Sequence, residues 1–137
     1  MSKKTKRPPR LPVVAVINTN DDLVLALRAT LVDEGYTVVT AHIAEFKNGQ
    51  VDFAAFLRTH DPDAVIYDVA VPYEDNWTFL QTLRKLPESD RPFIITTVNK
   101  RVMEQRVGPT DALEIVGGRA DDFEAIVDAL TKRLKRR

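Results

Sequence analysis

The chain contains no cysteine, which excludes disulfides, thiolate metal sites and cysteine nucleophiles and is compatible with a reducing compartment. It has only two histidines, His42 and His60. They stand at no metal-ligand spacing to each other or to acids, so both read as surface residues, and no Ser-His-Asp order is suggested. Neither a GxGxxG fingerprint nor a Walker loop occurs. No apolar run approaches the length needed to cross a bilayer, and residues 1–12 are basic without an apolar stretch behind a cleavage site, so a cytoplasmic location is expected.

Net charge is also lacking, at zero, but the balance hides a segregation. Lys3, Lys4, Lys6, Arg7 and Arg10 at one end and Lys132, Arg133, Lys135, Arg136 and Arg137 at the other hold ten of the twenty basic residues. Every acidic residue lies between Asp21 and Asp128, so the middle of the chain has ten Lys/Arg against twenty Asp/Glu, a net of about −10. That argues against a nucleic-acid-binding body and leaves only the basic tails as candidates. Pro8, Pro9 and Pro12 keep the first tail extended.

What is present is enough apolar surface for one domain: 137 residues, 44% hydrophobic. Apolar runs of strand length recur at 13–17, 37–40, 64–67, 93–98 and 112–116, and their continuity predicts fully buried strands. Between them the spacing is helical: Leu23, Leu27, Leu31; Phe53, Phe56, Leu57; Leu80, Leu83, Leu86; and Phe123, Ile126, Val127, Leu130, Leu134. The stretch 100–107 is a weaker helix, with Val102, Met103 and Val107 ahead of Gly108-Pro109. Gly35 stands where the first helix needs a C-terminal cap, and Pro62 and Pro92 precede the third and fourth strands.

Alternating strands and helices imply βαβ units and a doubly wound α/β domain, a five-stranded parallel sheet with helices on both faces. In such sheets chemistry sits outside the carboxyl ends of the strands. The residues there are Asn18-Thr19, Asp68, Thr97 and Gly117-Gly118. Asp68, directly after Val65-Ile66-Tyr67, suits a nucleophile or a hard-cation ligand, or else caps the turn into the next helix.

The stretch Asp63-Ala64-Val65-Ile66-Tyr67-Asp68-Val69-Ala70-Val71-Pro72, followed by Asp75-Asn76-Trp77-Thr78-Phe79-Leu80, carries a family likeness. So do 33–41, which join the first helix to the second strand, and Arg91-Pro92-Phe93-Ile94-Ile95-Thr96-Thr97. Together they resemble the receiver domain of response regulators, chemotaxis-type with a flavodoxin-like fold, over residues 13–134, between a basic Pro-containing tail at 1–12 and a basic end at 135–137. The resemblance implies strand order 2-1-3-4-5, Asp68 as phosphoacceptor and Thr97 as the accompanying hydroxyl. It implies a Mg²⁺ ion held by Asp68, the Ala70 backbone carbonyl and an acidic pair after the first strand. That pair falls on Asn18 and Thr19, both neutral, so Mg²⁺ binding is expected to be weak.

Asp21 and Asp22 fall near a helix N-terminus, where a capping role is expected. The Lys that contacts the phosphate in receivers has no counterpart in Ile115-Val116-Gly117-Gly118-Arg119-Ala120. Arg119 is either a substitute or an exposed side chain, and the glycine pair either a phosphate loop or a simple turn. Glu114 and Ile115 occupy the switch-aromatic positions, and Val98, where a small Ala is common, is expected to crowd the site. Tyr73 and Trp77 are expected in the loop after Asp68, as gate or as packing.

Two functions follow. One is a phosphorylatable receiver, not an enzyme in its own right, read by a histidine kinase and a downstream target. The other is a pseudo-receiver that keeps the fold and works as a protein-interaction module. Receivers commonly use the final helix for dimers or targets, so Asp128, Lys132 and Arg133 are the expected contact residues. A flavodoxin-type cofactor site is disfavoured, because no Ser/Thr/Gly-rich loop follows the first strand.

Overall fold

The computed structural model describes residues 11–108, 114–117 and 123–135. Its strands are β1 (Val13–Asn18), β2 (Thr37–His42), β3 (Ala64–Asp68), β4 (Phe93–Thr97) and β5 (Glu114–Gly117). The helices are α1 (Asp21–Asp33), α2 (Ile43–Lys47), α3 (Phe53–His60), α4 (Tyr73–Arg84), α5 (Lys100–Val107) and α6 (Phe123–Lys135). The expected doubly wound α/β architecture is present. Among the described residues the strands pair in parallel in the order β2-β1-β3-β4-β5.

Side chains alternate across the sheet, and both faces are covered, which is why the inner strands are continuously apolar. Val14, Val16, Ala64, Ile66 and Ile94 face α1 and α6, meeting Leu27, Leu31, Ile126 and Leu130. Ala15, Ile17, Val65, Tyr67, Phe93 and Ile95 face the other layer, where Phe46, Phe53, Leu57, Leu80 and Met103 close over them. Phe46 meets Phe53 edge-on at 5.0 Å and Phe56 at 5.5 Å. Each fully buried large side chain of this kind is worth about 1.5–3 kcal/mol of transfer free energy.

Local signals account for the element ends. Asn20 caps α1, its side chain accepting from the Leu23 N–H at 3.0 Å. At the other end Gly35 takes φ +100, and the Gly35 and Tyr36 N–H groups donate to the Val32 and Leu31 carbonyls at 3.0 Å each. That paired closure needs a left-handed residue at Gly35, as its position in the sequence implied.

Several expectations are corrected. β2 is not fully buried: only Val38 is, because β2 is an edge strand that pairs with β1 alone. The helix after β2 is two helices, the first opened by His42, whose ring accepts from the Ala44 N–H while Glu45 bonds back to the His42 N–H. His42 is therefore a half-buried capping residue and not a plain surface one. Asp21 and Asp22 lie in the first turn of α1, where the helix dipole favours them, but the side-chain cap is Asn20. Tyr73 and Trp77 belong to α4, not to a loop; Tyr73 is buried in the core and Trp77 packs against it. Ala112, Gly118, Arg119, Ala120 and the basic residues at 3–10 lie outside the described residues.

Candidate functional site

The carboxyl ends of β1, β3 and β4 bring together Asn18, Asp68 and the Thr96–Thr97 pair. In the parallel register Asp68 lies opposite Thr96, so these two side chains share a face, and the Thr96 hydroxyl donates to Asp68 Oδ1 at 2.7 Å. Sequence reasoning missed Thr96. The signal was there in the threonine doublet, since alternation from a paired strand allows only one of the two to reach the carboxylate. Thr97 is 4% exposed, and its Oγ1 is buried with no hydrogen-bond partner among the described residues.

Asp68 is half-buried, and burial raises its pKa above the ordinary carboxylate value, opposed in part by the Thr96 hydrogen bond. Neighbouring Tyr67 points into the opposite layer, where burial, and secondarily the Asp68 charge, raise its phenol.

Two of the other three predicted oxygen donors, Asn18 and Ala70, are already engaged. Asn18 is buried, and its Oδ1 accepts from the Thr19 and Asn20 N–H groups at 2.6 and 3.1 Å. Thr19 is exposed. The Ala70 carbonyl accepts from Asn76 Nδ2 at 2.8 Å, and Asn76 Oδ1 in turn accepts from the Lys47 ammonium at 2.5 Å. No sequence pattern flagged Asn76 or Lys47, because they meet across 29 residues. Val98 is 65% exposed and packs outward, so it does not crowd the crevice from within. Val71, in the loop after β3, is 69% exposed beside the same edge.

On α6, Ile126, Ala129 and Leu130 are buried against the sheet, with Phe123, Val127 and Leu134 partly buried beside them. Asp128 and Lys132 are exposed, and Arg133 is half-buried. No described helix is long and apolar enough to cross a membrane.

This topology, with a carboxylate at the end of the third strand, has close structural counterparts. The chain superposes on chemotaxis protein CheY4 of Vibrio cholerae with a TM-score of 0.64, at 20% identity, covering 90% of this chain and 99% of that one. A sensor protein from Polaromonas sp. JS666 gives 0.69 at 17% identity, over 93% and 98%. The chain has the fold of response-regulator receiver domains. Response regulator TrrA of Thermotoga maritima, solved in complex with Mg²⁺-BeF, gives 0.65 at 20% identity, over 89% and 98%. In sequence, the chain is 32% identical over 139 aligned positions to a probable transcriptional regulator, ycf27, of Cyanidium caldarium. The alignment takes in 99% of this chain and 51% of that protein, so the chain spans about half the length of the curated relative it matches. No family model matches.

The residues at the predicted positions do not make a complete divalent-cation site. Mg²⁺ calls for near-octahedral oxygen coordination, commonly anchored by carboxylates. Here Asp68 is the one carboxylate at the predicted positions, while the Asn18 and Ala70 oxygens carry internal hydrogen bonds. Among the described residues, no group of three or more His, Cys, Asp or Glu is placed to hold a metal.

Proposed function

We propose that this receiver domain is a cytoplasmic signalling module of a two-component system, and that it engages its protein partner without requiring phosphorylation of Asp68. The observation that carries the proposal is the state of the crevice oxygens. Asp68 stands in the phosphoacceptor position, but the Asn18 side chain and the Ala70 carbonyl are consumed by the protein's own donors. A doubly charged phosphoryl group beside a carboxylate needs compensating positive charge, and burial already disfavours charge on Asp68. Mg²⁺ binding is correspondingly weak.

The partner is a protein, a histidine kinase or a downstream target, met on the α6 surface where Asp128 and Lys132 are exposed. Such contacts weaken with salt. A net charge of about −10 between the basic ends disfavours direct nucleic-acid contact by the domain body.

The test is to incubate wild type and Asp68→Asn with acetyl phosphate and Mg²⁺ and follow intact mass. The expected result is an unmodified wild type, with Asp68→Asn still folded and still binding its partner. Rapid, near-complete modification of wild type alone establishes the second reading, an aspartyl-phosphate switch. One observation favours that reading: Asp68 keeps a hydroxyl at the crevice, the Thr96 Oγ1 donating to its Oδ1 at 2.7 Å.

A further inference from the structure

Asn76 lies in α4, its N–H donating to the Pro72 carbonyl at 3.2 Å as one of the helix's first bonds. Its side chain turns back on the loop that joins β3 to α4. Nδ2 donates to the Ala70 carbonyl at 2.8 Å, and Oδ1 accepts from Lys47, the last residue of α2, at 2.5 Å. The Lys47 ammonium also lies 5.5 Å from the centroid of the Phe79 ring, on the next turn of α4. A cation held between a carbonyl oxygen and an aromatic face is well placed to stay. α2, α4 and the β3–α4 loop are thus tied through one carboxamide.

This tie has a definite polarity. Both its ends present positive charge toward Ala70: the amide hydrogens directly, the ammonium one hydrogen bond behind them. The oxygen they engage is the backbone acceptor that the receiver resemblance assigns to the divalent cation.

We infer that Asn76, oriented by Lys47, is a built-in plug that holds the Ala70 carbonyl in the cation's stead and keeps the crevice closed to divalent cations. The inference rests on reading the Asp68 crevice as a receiver-type site, and it adds a second barrier beside the missing acidic pair. A carbonyl has two lone pairs, so the plug acts by geometry and charge combined. The amide fixes the loop that carries the oxygen, and the ammonium adds positive charge one hydrogen bond behind it. Asn76 is a positioning residue in this scheme and has no part in any reaction.

The experiment separates the two barriers. Asn18→Asp/Thr19→Asp restores the acidic pair; a second variant adds Asn76→Ala, and a third adds Lys47→Ala instead. Mg²⁺ affinity is read from amide shifts, and its location from Mn²⁺ broadening around Asp68. The expected result is that Asn76→Ala raises Mg²⁺ affinity on the acidic-pair background by about 10-fold, the low end of what neighbouring groups do to metal sites. Lys47→Ala gives a smaller gain, because the carboxamide remains but is no longer oriented. In the otherwise wild-type chain, Lys47→Ala also shifts the Asn76 side-chain amide resonances and speeds their exchange, a readout that involves no metal. Equal Mg²⁺ affinity with and without Asn76, centred on Asp68, overturns the plug and leaves the receiver-site reading standing. No binding in any restored variant, or broadening centred elsewhere, overturns both.

Discussion

Strand β3 has a carboxylate at each end, and the two are held in opposite ways. Asp63, just before the strand, accepts the Val13 N–H through Oδ2 at 2.8 Å and returns its own N–H to the Val13 carbonyl at 2.7 Å. Around it, Arg91 donates to the Pro62 carbonyl at 2.7 Å and meets Asp61 at 3.3 Å. Asp68, at the far end, has one hydroxyl donor at 2.7 Å and a burial that works against its charge. The amino edge of the sheet uses its carboxylate to lock β1 to β3, whereas the carboxyl edge keeps one under an electrostatic cost. The hydrogen bonds concentrate at the first edge, and the second edge is where an open parallel sheet places its crevice.

The largest effect expected from this contrast is at Asp63. Asp63→Ala removes a charge-assisted bond and leaves the Val13 N–H at the start of β1 without that acceptor, so it should cost about 1.5–3 kcal/mol in urea unfolding. Asp63→Asn keeps an oxygen there and should lose clearly less. A loss from Asp63→Ala of under about 0.5 kcal/mol, the level of an ordinary surface substitution, would break the claim that this edge is locked by its carboxylate.

The opposite sign is expected at Asp68, with a smaller size. Its folded pKa is raised, so the folded state holds the proton more tightly than the unfolded chain does. The stability this confers is fully present below the unfolded carboxylate pKa and is lost as pH rises through the folded one. Asp68→Asn keeps the shape and an acceptor for Thr96 while removing the charge. It should therefore stabilise the domain at about pH 7.5, by less than Asp63→Ala destabilises it, and the gain should shrink toward about pH 4. Thermal unfolding of both proteins across that range checks the slope. A gain that grows as the pH falls would mean that the Asp68 charge is stabilised in the fold.

The strand that carries both carboxylates and the place of Asp68 were readable in the sequence, the role of Asp63 was not, and what was missed has physical causes. Continuous apolar runs gave the inner strands because those strands are covered on both faces, and the same rule failed at β2, where the edge position exposes Thr37 and Thr40 despite the valines between them. α2 escaped notice because it has five residues and is capped by a histidine, a residue seldom found in that role. Asp68 was legible from its place after a buried strand. Its partner was not, because Thr96 and Thr97 are equivalent in a linear pattern and become distinct only when the β3–β4 register sets which one lies opposite the carboxylate. The Lys47–Asn76–Ala70 chain depends on the packing of two helices and a loop, which no local spacing encodes.

The adjacent threonines allow the smallest and sharpest test of the carboxyl edge. Thr96→Val and Thr97→Val are the same change of shape, both β-branched before and after, so strand preference and side-chain volume nearly cancel between them. What differs is the hydroxyl. At Thr96 it donates to Asp68 and holds the carboxyl pKa down. Its removal should cost about 1 kcal/mol at about pH 7.5 and move the Asp68 titration, followed by carboxyl ¹³C shifts, further up. At Thr97 the hydroxyl is buried without a partner among the described residues, so exchanging it for a methyl group removes an unmet desolvation cost and should be neutral or stabilising by up to about 1 kcal/mol. The Asp68 titration should hardly move in Thr97→Val, since that side chain alternates to the other face. If instead Thr97→Val destabilises the domain and shifts the Asp68 titration while Thr96→Val does neither, the hydroxyl roles are reversed, and the register that makes Asp68 depend on Thr96 is wrong.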